Sequence, residues 1–162
     1  MFPRRFLRLG VLVLVALAAC GSPSASATAS SPSPSTDSAT RAYVALVAGF
    51  WHDHVIATSG ALQVCVDSVN PPLCKPRGEA MLAVQQKFAN DLANAQAPAK
   101  FMTEDKTIRL VLPVTIADLT SMVAAASAND KQGVKSASAK YVADMQPILE
   151  AFDRIDPAVQ HV

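Results

Sequence analysis

The chain has 162 residues, of which 17% are charged, and a formal net charge of +1. This length suits one small folded domain. The sequence has no basic stripe of the kind that binds nucleic acid, so we expect no nucleic-acid partner.

The first twenty residues have the three parts of a secretory signal. Arg4, Arg5 and Arg8 form a basic start, and an apolar stretch of eleven residues follows from Leu9 to Ala19. A membrane-spanning helix needs about 20 apolar residues. The pattern therefore predicts a signal peptide over 1–19 rather than a permanent membrane helix.

The end of this segment, Leu17-Ala18-Ala19-Cys20, is followed by Gly21. These residues resemble the lipobox of bacterial lipoproteins. The resemblance implies cleavage before Cys20, a diacylglycerol thioether on its sulfur, and often a further acyl chain on the new amino group. Two or three acyl chains anchor a protein stably, so it also implies a membrane-lipid partner and a place on the extracytoplasmic side of the cell membrane.

The three cysteines leave an odd thiol in an exported protein unless Cys20 carries lipid. The remaining pair, Cys65 and Cys74, is then even, and disulfides persist in oxidising compartments. We expect a Cys65–Cys74 disulfide. The alternative is two free buried thiols, and a metal site is disfavoured because no histidine is adjacent to complete a tetrahedron.

Residues 21–40 consist almost entirely of Ser, Ala, Thr and Pro. Such a segment has little apolar surface to bury, so residues 20–40 are predicted to be the lipidated cysteine and a disordered tether. The Ala/Val-rich composition and the Ser/Pro-rich tether resemble lipoproteins of high-GC actinobacteria. Removal of the signal takes Lys+Arg from 14 to 11 against 13 acids, which leaves a mature chain near −2.

Residues 41–162 carry apolar residues spaced three and four apart, which predicts helices. The predicted fold is all-α: an antiparallel up-down-up-down four-helix bundle with one disulfide, preceded by the signal peptide and the tether. Helix one extends from about 38 to 69, where Asn70-Pro71-Pro72 stops it, and helix two from about 76 to 95. Helix three starts at a Thr103 cap, Asn129-Asp130 forms the next turn, and helix four ends before Pro157.

Prolines inside helices three and four, Pro113 and Pro147, stand 16 and 18 residues from Asn129, at about the same height in a hairpin. Each should bend its helix. We therefore predict a widened layer with a small apolar pocket, and its residues are Trp51, His54, Phe88, Pro113 and Met145. The alternative is that the prolines only curve the helices and the aromatic residues fill the bend.

No catalytic or metal-binding set is predicted. His52 and His54 are two apart on a helix and point in different directions, and methionines at helical spacing usually pack in a core. The acids, including Asp118, are scattered singly and are interpreted as solvated. No enzyme activity and no cofactor are expected. The sequence favours a non-enzymatic binding or interaction module with an envelope protein partner; the alternative is a carrier of haem, metal or lipid that uses the predicted pocket.

Overall fold

The computed structural model describes residues 36–58, 65, 67 and 69–157, and within them it contains helices and no strand. The predicted all-α class is confirmed. The lipobox and most of the tether lie outside the described residues. The four helices are α1 (Thr36–Thr58), α2 (Pro71–Ala93), α3 (Met102–Ser127) and α4 (Lys131–Ile155), and a 3₁₀ turn, Ala99–Phe101, precedes α3.

Three helices begin earlier than the sequence predicts, and the first two are α1 and α2. α1 begins at Thr36, inside the segment 20–40 that was assigned to the tether. α2 begins at Pro71 rather than near Pro76, because Pro71 and Pro72 occupy its first turn. Proline is tolerated there, since the first amide groups of a helix have no intrahelical acceptor. The same dipeptide that was interpreted as a stop signal therefore starts the next helix.

The start of α3 also differs from its prediction. Thr103 lies inside the helix, and the capping position is held by Phe101 without a side-chain cap. The 3₁₀ turn substitutes for that cap, with the Phe101 amide donating to the Pro98 carbonyl at 2.9 Å. Glu104 and Asp105 do lie in the first turn, where the helix dipole favours acids.

The turn between α3 and α4 is found at the predicted Asn129-Asp130. Asn129 adopts a left-handed φ of 57°. The amides of Asn129 and Asp130 donate to the carbonyls of Ala126 and Ala125 at 3.2 and 2.9 Å, the pattern of a Schellman motif. The Asp130 carboxylate then accepts from the Gly133 amide at 2.9 Å and caps α4. One dipeptide thus ends one helix and starts the next.

The core is built from the helix faces that the periodicity predicts. Its aromatic centre is Phe50, whose ring stacks on Phe88 at 4.1 Å between centroids and meets Phe152 edge-on at 5.6 Å. The buried residues that this periodicity predicts are Tyr43, Val47, Phe50, His54, Cys65, Met81, Phe88, Leu92, Ile108, Leu112, Thr115, Leu119, Met122, Ala126, Val134, Ser138, Tyr141, Met145, Ile148, Phe152 and Ile155.

The predicted disulfide is present. Cys65 and Cys74 are joined, with their Cα atoms 5.5 Å apart, and both are fully buried. The bridge joins residues nine positions apart, and Cys74 lies in the first turn of α2. Closing so short a loop lowers the entropy of the unfolded chain, which raises the free energy of unfolding by about 2–3 kcal/mol.

Candidate functional site

A layer of buried polar side chains crosses the middle of the bundle, and each helix supplies one of them. They are His54 of α1, Gln85 of α2, Thr115 of α3 and Tyr141 of α4. Gln85 and Thr115 are fully buried, and His54 is 9% exposed. We refer to these four residues as the polar layer.

The polar layer is joined by hydrogen bonds from helix to helix. The Thr115 hydroxyl donates to Gln85 Oε1 at 2.7 Å, and Gln85 Nε2 donates to the Tyr141 hydroxyl at 2.8 Å. The Tyr141 oxygen lies 3.4 Å from His54 Nε2, and Gln85 Nε2 is also 3.4 Å from the sulfur of Met145. Because buried polar groups are costly without partners, this network favours one relative placement of the four helices.

Burial keeps the titrating members of the layer uncharged at neutral pH. Desolvation lowers the pKa of His54 from 6.5 to about 4. Desolvation also raises the pKa of Tyr141, although the hydrogen bond from Gln85 opposes that shift. The layer is therefore a neutral network, in which His54 is a weak base at physiological pH.

The structure brings three of the five predicted pocket residues to this part of the core. His54, Phe88 and Met145 are buried, and Trp51 is half-buried with its ring 6.0 Å from that of His54. Pro113 lies instead on the exposed side of α3, so its ring does not line the layer. Gln85 was missed, although its spacing from Met81, Phe88 and Leu92 places it on the core face of α2.

A groove lies beside the layer, between α1 and α2. Its volume is about 170 Å3, and Phe50 and Phe88 form part of its wall. Gly49 opens this α1–α2 groove, because a Cβ built there meets no atom within 4 Å. The full lining is Ala45, Leu46, Gly49, Phe50, Asp53, Val84, Lys87, Phe88 and Asp91.

The side of α3 that faces away from the bundle is apolar. Leu110 is 73% exposed and Val114 is 42% exposed, and Lys106, Pro113 and Ala117 are exposed on the same side at spacings of three and four. We call these five residues the outer face of α3. Met102, 64% exposed, lies at its margin.

The acids of α3 point into the bundle rather than into solvent. Glu104 pairs with Arg154 of α4 at 3.3 Å, and Asp105 pairs with Arg109 at 2.7 Å. Asp118 is only 5% exposed and accepts from Lys140 Nζ at 2.9 Å. The prediction that Asp118 is solvated is therefore wrong: its carboxylate lies on the α4 side of α3.

Among the described residues, no group of three or more His, Cys, Asp or Glu side chains could hold a metal ion. In the same part of the chain, the segment Ala99–Ser127 has the length and the apolar composition that crossing a membrane requires. A third of its most apolar window is buried inside the bundle. Comparisons with protein-family models, curated proteins and solved structures found no match.

Proposed function

We propose that this chain is a lipid-anchored, extracytoplasmic lipoprotein whose helical bundle is a non-enzymatic binding module at the outer surface of the cell membrane. The anchor rests on Leu17-Ala18-Ala19-Cys20 and on the basic and apolar residues before it. The Cys65–Cys74 disulfide fits an oxidising compartment. The observation that carries the binding role is the outer face of α3, because an exposed apolar helix face marks an interaction surface.

The bundle is proposed to be antiparallel, up-down-up-down. In the contacts between α3 and α4, residue numbers increase along one helix as they decrease along the other. The pairs are Met122 with Ser138, Asp118 with Lys140, and Glu104 with Arg154. The contacts of α3 with α2 and with the residues just after α2 follow the same rule, with Gln85 bonded to Thr115 and the Ala95 carbonyl to Arg109. Short connections between α2, α3 and α4 support the same arrangement.

The burial of the polar layer supports the non-enzymatic part of the proposal. A general base must be within reach of the proton that it removes from a substrate. His54 is nearly inaccessible to solvent and lies among Phe50, Trp51 and Tyr141. We therefore assign His54 to stability rather than to catalysis.

A small-ligand carrier is the second candidate, and the α1–α2 groove is the observation that favours it. Its volume of about 170 Å3 is below the roughly 300 Å3 at which drug-sized sites begin, so it suits a single ring or a short alkyl group better than haem. Mass spectrometry and an absorbance spectrum of the protein from its native membrane test this. A co-purified small molecule that is lost in Gly49→Leu would support the carrier.

The anchor is tested by Cys20→Ala. We expect the wild type to carry acyl mass on Cys20 and to stay with membranes in alkaline carbonate, and the variant to become extractable. A double variant, Cys65→Ser with Cys74→Ser, is the matched control, because it keeps Cys20 and should remain anchored. Carbonate-resistant Cys20→Ala protein from which residues 1–19 have been removed, as verified by mass spectrometry, would instead mean that a segment such as Ala99–Ser127 holds the chain in the membrane.

A further inference from the structure

The outer face of α3 combines exposed apolar side chains with positive charge and no carboxylate. Leu110 is the most exposed of the large apolar residues that the structure describes, and Val114 follows one turn later. Lys106 lies one turn before Leu110, and Lys100 is exposed just ahead of the helix. A helix face with large apolar residues beside lysines is the kind that lies in a membrane interface.

The absence of negative charge from this face has a structural cause. All three acids of α3 are turned toward the bundle, and each contacts a basic partner: Glu104 contacts Arg154, Asp105 contacts Arg109, and Asp118 contacts Lys140. The lysine on the outer face is therefore not offset by a carboxylate of the same helix. Basic residues near an anionic bilayer surface each add about 1 kcal/mol of attraction, whereas exposed acids would oppose it.

The position of the outer face of α3, relative to the point where the chain enters the bundle, also favours contact with a membrane surface. The Tyr43 hydroxyl donates to Asp105 at 2.8 Å, so the first turns of α1 lie beside the first turns of α3. From Cys20 to Thr36 the chain can span at most about 55 Å when fully extended. Lys106 directly follows Asp105, so it lies toward the end of the bundle at which the chain enters α1, within reach of a tether from Cys20, and Leu110 lies one turn further along α3.

We infer that the outer face of α3 rests on the surface of the anionic bilayer to which Cys20 is anchored, with Leu110 and Val114 entering the headgroup region and Lys106 contacting lipid phosphates. This inference rests on the proposed anchor for its biological setting. The contact itself is a property of α3 and can be measured without acylation. It would hold the bundle in one orientation relative to the bilayer.

The test uses residues 20–162 with Cys20→Ser, which retains the compact unit Ser33–Val162 and carries no lipid. Co-sedimentation is measured with vesicles of phosphatidylcholine alone and of equal phosphatidylcholine and phosphatidylglycerol. We expect binding to the anionic vesicles that weakens with added salt. The double variant Leu110→Gln with Val114→Gln should lower the partition coefficient roughly tenfold or more, since two large aliphatic contacts are lost.

The matched control is Leu73→Gln with Val142→Gln, which removes two comparably exposed apolar residues from other helices and should bind as the wild type does. Glutamine is a good helix former, and circular dichroism verifies that both variants are folded. Equal loss of binding in the two double variants, or no preference for anionic vesicles, contradicts the inference. So does a concentration-dependent dimer that only Leu110→Gln with Val114→Gln abolishes, since a second copy would then cover the face.

A second measurement locates the contact while the chain is held at the bilayer. The chain 20–162 with native Cys20 is coupled to a maleimide lipid, its other two cysteines being held in the disulfide. A phospholipid with a photoreactive acyl chain then labels what lies against the bilayer. We expect labels within 102–117, and labels spread over all four helices overturn the inference. If Cys20 proves unacylated in cells while both measurements succeed, the proposed anchor fails and the lipid contact stands.

Discussion

Gly49 and Gly78 are both interior helical glycines, yet their surroundings differ. A Cβ at Gly49 meets open space, whereas one at Gly78 would lie 2.6 Å from Met122 Cε and 2.8 Å from Val123 Cγ2. Glycine in a helix interior costs roughly 0.5–1 kcal/mol relative to alanine. We expect Gly49→Ala to raise the free energy of unfolding by about that amount, measured by urea denaturation.

Gly78→Ala is the matched comparison, because it makes the same chemical change where α2 and α3 approach closely. Overpacking a core typically costs about 1–3 kcal/mol, which exceeds the gain in helix propensity. We expect this variant to be destabilised. Destabilisation of Gly49→Ala would show that the α1–α2 groove is narrower than described.

Gln85 holds the centre of the polar layer, because its amide contacts both Thr115 and Tyr141. Gln85→Ala removes these partners and leaves a cavity. Leaving a buried polar group unsatisfied costs about 1–3 kcal/mol, and the cavity adds to this. We expect a loss of at least 2 kcal/mol in urea denaturation. The exposed neighbour Gln86→Ala should change stability by no more than about 0.5 kcal/mol, and equal effects would contradict the role given to the layer.

The polar layer also shows where sequence reasoning is weak at the level of single residues. Periodicity predicts core positions for His54, Thr115 and Tyr141, because apolar residues such as Phe50, Leu112 and Met145 lie three or four positions away. Gln85 and Asp118 occupy equivalent positions but were not placed there, since glutamine and aspartate are rarely buried without partners. Their partners, Tyr141 and Lys140, come from another helix, and a single helix cannot reveal them.

At the scale of elements, helix ends could be predicted where the chemistry of the end is local. Asn129-Asp130 combines a left-handed residue with a capping carboxylate, and both effects act within a few residues. The starts of α2 and α3 were misplaced because proline either stops or starts a helix, and because a 3₁₀ turn replaced the expected Thr103 cap. The exposed position of Pro113 agrees with the periodicity of α3, because residue 113 lies off the stripe that buries Ile108, Leu112 and Leu119, and the pocket prediction did not apply that test.

The disulfide is an element-scale constraint with a measurable contribution. Reduction, or Cys65→Ser with Cys74→Ser, should lower the free energy of unfolding by about 2–3 kcal/mol, the value for a loop of this length. Denaturant titration with and without reductant measures it. Before reduction, neither Cys65 nor Cys74 of the unfolded protein should react with a maleimide. Labelling of both cysteines would show that the disulfide is not formed.

At the scale of the whole molecule, the polar layer makes stability depend on pH. The unfolded His54 takes up a proton below pH 6.5, whereas the folded residue stays neutral down to about pH 4. Between these values the unfolded state binds more protons, so the contribution of His54 is fully present above pH 6.5 and is lost as the pH falls toward 4. At about 1.4 kcal/mol per pKa unit, the loss is on the order of 3 kcal/mol.

The measurement is urea denaturation across pH 4–7 of the wild type, His54→Gln and His52→Gln. Tyr141 is a titrating group whose oxygen lies 3.4 Å from His54 Nε2, and its raised pKa keeps it neutral throughout this range. His54→Gln should therefore reduce the loss of stability between pH 7 and pH 4 by roughly the contribution of His54. The carboxylates contribute equally to the pH dependence of both proteins, so they do not affect this difference. His52 is exposed, so His52→Gln should retain the wild-type slope. If the two variants had the same slope, the acid sensitivity would come from elsewhere in the bundle, and the neutral layer would not limit its stability.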